Sequence, residues 1–138
     1  MNEQIDIWLQ NPYVLALANF SVAVLATIVF LAVFELVTPY NAFDEIRKGN
    51  VAVALTISGK MLGIANIFRF AIASHESVYI ALLWASFGFV LMLAAYYIFE
   101  FLTPFKVDQH IEQGNAAVGF ISFIISVSLS YIVGASVP

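Results

Sequence analysis

Phe34-Glu35-Leu36-Val37-Thr38-Pro39 leads into Ile46-Arg47-Lys48-Gly49-Asn50-Val51-Ala52-Val53, and the chain then repeats itself. Phe99-Glu100-Phe101-Leu102-Thr103-Pro104 leads into Ile111-Glu112-Gln113-Gly114-Asn115-Ala116-Ala117-Val118. Nine positions are identical at a constant offset of 65 residues. Each copy sits between long apolar runs, so the pattern reads as two copies of a helix, linker, helix unit. Such a repeat describes an architecture and names no reaction.

Composition identifies the solvent. With 62% hydrophobic and 10% charged residues over 138 positions and a mean hydropathy of +0.95, the chain carries more apolar surface than one small soluble domain can hide. A bilayer supplies the rest. There is no cysteine, which excludes disulfides, thiolate metal sites and cysteine nucleophiles. The net charge of −4 is spread over linkers and ends without a basic stripe, so nucleic acid is not an expected partner.

Four runs are long enough to span: Tyr13 to Val37, Asn50 to Ala73, Ser77 to Leu102 and Asn115 to Val137. A helix needs about 20 residues to cross the hydrocarbon layer. Continuous apolarity, without the alternation of a barrel strand, makes each run a helix. The first run lacks a basic start and is too long for a signal core, so it reads as a span rather than a cleaved leader. Ahead of it, Ile5, Ile7, Trp8 and Leu9 form an interfacial lead-in, and Pro12 suits a first helical turn. The expected fold is all-α: a polytopic membrane protein of four transmembrane helices in one membrane domain, residues 1–138. It is expected to form two parallel tandem repeats, about 13–73 and about 77–137, each with a short interfacial linker helix.

Two spans per repeat put both Thr-Pro linkers on one side of the membrane. They carry Arg47, Lys48 and Lys106, whereas the other side has Arg69 and an acidic amino-terminal segment. The positive-inside rule then places the linkers in the cytoplasm and both termini outside.

Within each linker, Thr38 and Thr103 are suited to cap a short helix that starts with Pro39 or Pro104 and lies at the interface. Tyr40, Phe43 and Ile46 would face the membrane. Gly49 and Gly114 can take the left-handed conformation that stops this helix, and Asn50 and Asn115 can cap the next span. Alternatively, the two asparagines coordinate something at the cytoplasmic mouth.

Glu35 and Glu100 lie at the carboxyl ends of spans, where the helix dipole and the apolar surroundings both disfavour a charge. Arg47, Lys106, the first backbone N–H groups of the following spans, or protonation are the candidate compensations. Fixing the linker and binding an ion or proton are both open roles for the two carboxyls. Lys60 is the sharpest anomaly, about ten residues into the second span, where a lysine costs about 2.5 to 3.5 kcal/mol on insertion scales. Its counterpart in the second copy is Ile125. An ion pair with Glu35 or Glu100, a transport or ligand role, and snorkelling are the alternatives. Arg69, His75 and Glu76 read as interface anchors, and His110 as a solvated linker residue.

Small and polar residues indicate where spans meet. Ala52, Thr56, Gly59, Gly63 and Asn66 share one stripe of the second span, and Ser122, Ser126, Ser130 and Gly134 recur every four residues in the fourth. Asn19, Ala23 and Ala26 form a patch on the first, with Asn19 seeking a polar partner such as Asn66 or a residue across an oligomer interface. Packing and a polar pore lining are the two readings.

Thr38-Pro39-Tyr40-Asn41 through Ile46, Gly49-Asn50 and Ala52, then Ser58-Gly59 and Leu62-Gly63, resembles the YjfL-like family of small bacterial inner-membrane proteins (domain of unknown function 350). The resemblance covers nearly the whole chain. It implies a bacterial inner membrane and four spans and brings no chemistry. Lys60 interrupts the small, apolar run associated with that family, so a function resting on Lys60 would belong to a subgroup.

No catalytic residue, metal cluster or cofactor is expected, because no nucleophile and base are brought together and almost no mass lies outside the membrane. The leading expectation is a non-enzymatic oligomeric scaffold or partner subunit, whose partners are the lipid bilayer, its own copies and an unidentified protein. The competing one is an ion channel or transporter subunit, with Glu35 and Glu100 ringing a mouth and Lys60 at mid-depth.

Overall fold

In hydrocarbon every backbone N–H and C=O must be satisfied within the chain, and in the computed structural model, which describes residues 2–74 and 77–138, the four apolar runs meet this demand as helices. A short α1 (Asn2–Leu9) precedes α2 (Pro12–Val37). Then come α3 (Ala42–Arg47), α4 (Val51–Ser74), α5 (Val78–Leu102), α6 (Val107–Glu112) and α7 (Ala116–Ser136). The long helices α2, α4, α5 and α7 are each long and apolar enough to cross a membrane. Both halves thus run long helix, six-residue helix, long helix, with α3 and α6 displaced from each other by 65 residues. His75 and Glu76 lie outside the described residues.

Asn11 starts α2, its side chain accepting from Tyr13 N at 3.0 Å, with Pro12 as the first helical residue, whose missing N–H costs nothing there. The ends of α2 and α5 correct the sequence reading. Thr38 and Thr103 close the preceding spans rather than open the linker helices: each is extended, with ψ of 130° and 131°. Each hydroxyl donates back to Phe34 O or Phe99 O at 2.7 Å. The cause is steric, because a residue before proline is driven out of the helical region. Pro39 and Pro104 therefore lie in the bend, and the caps fall to Asn41, which accepts from Asp44 N, and Lys106.

Gly49 and Gly114 both have φ +87°. Asn50 N donates to Glu45 O and Gly49 N to Ile46 O, and the same pair of bonds joins Asn115 to His110 and Gly114 to Ile111. These are Schellman closures, which need a left-handed residue just past the helix. Tyr40 does not face the membrane. It is buried with Ala42, Ala52, Val53, Val107 and Ile111, so a second small core ties both linker helices to α4, while Phe43 is exposed and Ile46 packs against that core's edge. Burial, and then the charges of Asp108, Glu112, Glu35 and Glu45, push the Tyr40 hydroxyl well above the ordinary tyrosine range.

The main core lies between the spans. α4 is the central helix, packed most extensively on α7 and also touching α5, α2 and both linker helices. Phe30 and Phe34 of α2 meet Phe89 of α5 at 4.2 Å stacked and 5.3 Å edge-on, and Phe30 reaches Phe68 of α4 at 5.9 Å. Such pairs add about 0.5–1.5 kcal/mol beyond their contact area, which matters where lipid cancels the hydrophobic drive between helices. α2 is the least covered span. Its outer side presents Leu17, Phe20, Val24, Leu25, Ile28 and Val29 to the hydrocarbon.

Candidate functional site

The α4 register turns Thr56, Gly59, Lys60 and Gly63 inward, and Lys60 is only 3% exposed. Its Nζ stands 4.8 Å from the centroid of the Phe34 ring and 5.2 Å from that of Tyr96. Of the three alternatives for Lys60, the ion pair is not formed, and an aromatic clamp stands in its place: among the described residues no carboxylate lies within 4.0 Å of the ammonium. Two ring faces attract a cation without requiring a carboxylate to be stripped of water. The carboxylates whose negative field acts on the ammonium are Asp108 and then Glu35. Tyr96 connects the layers, because its hydroxyl donates to the Asp108 carboxylate, 2.8 and 2.9 Å from the two oxygens. Lys60 lines a cavity of about 20 Å³ together with Phe34, Tyr96, Met92, Ser122 and Ser126. That is room for one water-sized species.

Glu35 and Glu100 address the linkers. Glu35 Oε1 accepts from Ala42 N at 3.2 Å, at the start of α3, and not from Arg47, which pairs with Asp44 at 3.8 Å. Glu100 is turned toward the N–H groups of Val107 and Asp108 at the start of α6, with Oε2 buried and without a hydrogen-bond partner. Each carboxylate thus meets the positive end of a linker helix, which offsets its unfavourable place at the end of a span.

Asn50 and Asn115 do unequal work. Both side-chain oxygens accept from the third residue on, Val53 N at 3.2 Å and Val118 N at 3.3 Å, and so cap α4 and α7. The Asn50 amide also donates to Glu112 O at 2.9 Å, Ile111 O at 3.2 Å and Glu45 Oε2 at 3.2 Å. It therefore locks the end of α6 against the junction of α3 and α4. This amide, and then Lys48 at 3.2 Å, hold the Glu45 carboxyl below its ordinary range. Asn50→Ala should cost about 1–2 kcal/mol and speed hydrogen exchange in α6, whereas Asn115→Ala should cost about 1 kcal/mol and loosen only the first turn of α7. Exchange mass spectrometry in detergent reads the difference, and equal protection of α6 in the two variants would refute the lock.

The small-residue stripes meet inside the subunit. A Cβ on Gly59 would stand 2.7 Å from Phe123 Cα, and one on Gly63 would be 3.2 Å from Ser126 O. Gly134 lies against the Phe70 ring. Asn66 donates to Ser130 Oγ at 3.0 Å and accepts from Arg69 Nε at 3.2 Å, so it is not the partner of Asn19. Asn19 is half-buried on α2, and Ala23 and Ala26 pack on the main core. His110 rests edge-on to Phe105 with ring centroids 4.9 Å apart. Arg69 lies over the Phe70 ring at 4.5 Å.

Three participants escaped the sequence reading. Tyr96 and Phe34 look like ordinary apolar filling until the rotation of their helices is known. Gly119 had a signal: it precedes Ser122 by three residues and so extends the serine stripe, and a Cβ there would be 2.6 Å from Ala52 O. Among the described residues no three His, Asp or Glu side chains gather as a metal site would require.

Comparison with known proteins agrees with this architecture. The family model described as Domain of Unknown Function (DUF350) matches residues 8–137. The chain is 54% identical to the UPF0719 transmembrane protein YshE of Bacillus subtilis (strain 168) over 133 residues, 96% of this chain and 98% of the relative. It is 26% identical to the UPF0719 inner membrane protein YjfL of Escherichia coli (strain K12) over 104 residues, 75% and 79% of the two chains. No solved structure matches it.

Proposed function

Because the chain belongs to the DUF350 family, which is described only as a domain of unknown function, we propose from its geometry that it is a non-enzymatic scaffold or partner subunit of the bacterial inner membrane. It presents α3 and α6 as a fixed platform on the cytoplasmic face, with both termini outside and its two halves parallel. One observation carries this reading: the side chains repeated at the 65-residue offset are engaged in shaping that platform. Glu35 and Glu100 face the starts of α3 and α6, Thr38 and Thr103 end the spans before them, and Gly49, Asn50, Gly114 and Asn115 close them. What the duplication keeps is therefore the form of one surface. Asp44, Arg47, Lys48, Gln109, Glu112 and Gln113 are exposed on it and free to meet another protein.

A second reading, a conduit for protons or monovalent ions, draws on the line from Lys60 through Tyr96 to Asp108. One experiment separates the two. A photo-crosslinker at Arg47 or Gln113, used in cells, should give a discrete adduct that Asn50→Ala weakens, and the adduct's mass tells a second copy from a different protein. Proteoliposomes of the purified protein should then pass no monovalent cations, protons or anions. Flux that Glu35→Gln, Glu100→Gln or Lys60→Met abolishes or reselects would overturn the scaffold in favour of the conduit.

A further inference from the structure

We infer that the cavity between α4, α5 and α7 binds one small monovalent anion of halide size, held by the Lys60 ammonium and the hydroxyls of Ser122 and Ser126. Lys60 is almost wholly buried and lines this space. Its aromatic clamp attracts the cation but carries no countercharge, and among the described residues no carboxylate is within ion-pair distance. Asp108 and Glu35, the carboxylates whose field reaches it, are engaged on the linker side by the Tyr96 hydroxyl and Ala42 N. No side-chain acceptor is within hydrogen-bond reach of the ammonium among the described residues, and Lys60 lines the cavity.

The same cavity is lined by further donors, Ser122 and Ser126 of α7. Hydroxyls on span helices commonly bond a carbonyl of their own helix, as Thr56, Ser58, Ser86 and Ser130 do here. Ser122 and Ser126 make no such bond among the described residues, and both line the cavity one helical turn apart. An ammonium, which only donates, and two uncommitted hydroxyls form a donor-rich pocket, and a donor-rich pocket selects an anion. The volume, about 20 Å³, admits one water-sized particle. Met92, also at the wall, has the flexible thioether chain that lets a pocket adjust to a slightly larger ion. Ile125, which stands where the first copy has Lys60, lines the same space, so the duplicated positions contribute one charge and not two.

The test is equilibrium binding of radiolabelled chloride to the detergent-solubilised protein, with bromide as competitor and gluconate holding ionic strength constant. The wild type should bind one chloride per chain saturably. Ser122→Ala/Ser126→Ala should weaken binding about tenfold, the loss of hydrogen bonds to a charged partner, and Lys60→Met should abolish it. The serine variant removes no intramolecular hydrogen bond among the described residues, so it decides the matter even if Lys60→Met fails to fold. Absence of saturable chloride binding by the wild type would overturn the site. So would undiminished binding by the serine variant, which would place the ion elsewhere.

Discussion

Gly59→Ala and Gly119→Ala should each lower the unfolding temperature of the protein in detergent micelles, and the leucine variants should fail to fold. Alanine in place of glycine within a helix ordinarily gains about 1 kcal/mol of propensity, so the sign of the effect reports on space alone. At Gly59 the added methyl would stand 2.7 Å from Phe123 Cα and 3.0 Å from Phe123 O. At Gly119 it would be 2.6 Å from Ala52 O and 2.7 Å from Ala52 Cα. Backbone atoms cannot turn aside as a side-chain end can, so the two helices must separate along the most extensive contact in the molecule. Overpacking of this kind costs about 1–3 kcal/mol or more, which outweighs the propensity gain. Gly63→Ala is the internal comparison: its closest neighbour is the side-chain end Met92 Cε at 2.8 Å, and the nearest backbone atom, Ser126 O, is at 3.2 Å, so the methyl there should cost less than at Gly59 or Gly119. Thermal or SDS titration followed by circular dichroism checks the order. A Gly59→Ala protein as stable as the wild type would mean that the α4–α7 contact is looser than described.

That contact also explains which parts of the molecule could be read from the chain. The four spans were legible because a bilayer leaves the backbone one solution and the apolar runs have the length it requires. The glycine closures were legible because a left-handed position in a repeated linker admits few residues. The direction of the Thr-Pro signal was not. Threonine is a good N-cap, but the steric demand of the following proline on Thr38 and Thr103 outweighs that preference, and both end a helix. At the candidate site, Lys60 announced itself by type and depth while its partners did not. Which rings meet it depends on how α2 and α5 are rotated, and Phe34 and Tyr96 are indistinguishable in sequence from lipid-facing aromatics. The repeat held a hint: Phe34 and Phe99, and likewise Lys60 and Ile125, occupy corresponding positions, and all four line the one cavity. Residues at corresponding positions of the two sequence copies thus share one cavity, which carries a single charge among them.

Lys60 gives the other large effect, and its sign depends on the replacement. Lys60→Glu should abolish folding, because a carboxylate would face the negative faces of the Phe34 and Tyr96 rings, whose centroids lie 4.8 and 5.2 Å from the present ammonium. It would also feel the like charges of Asp108 and Glu35. An uncompensated buried charge costs several kcal/mol, comparable to the whole stability of a small domain. Lys60→Met should instead be tolerated. It forfeits a cation–π attraction of about 2 kcal/mol but also removes the desolvation of an ammonium at mid-span, about 2.5 to 3.5 kcal/mol on insertion scales, while methionine follows much of the lysine stem. The two terms nearly cancel, so the methionine protein should unfold within a few degrees of the wild type. Membrane yield and thermal unfolding of the two variants, measured side by side, test the argument. A well-folded Lys60→Glu protein would show that the site is wet enough to solvate either charge and would favour the conduit. A strongly destabilised Lys60→Met would show that the ammonium itself holds α2, α4 and α5 together.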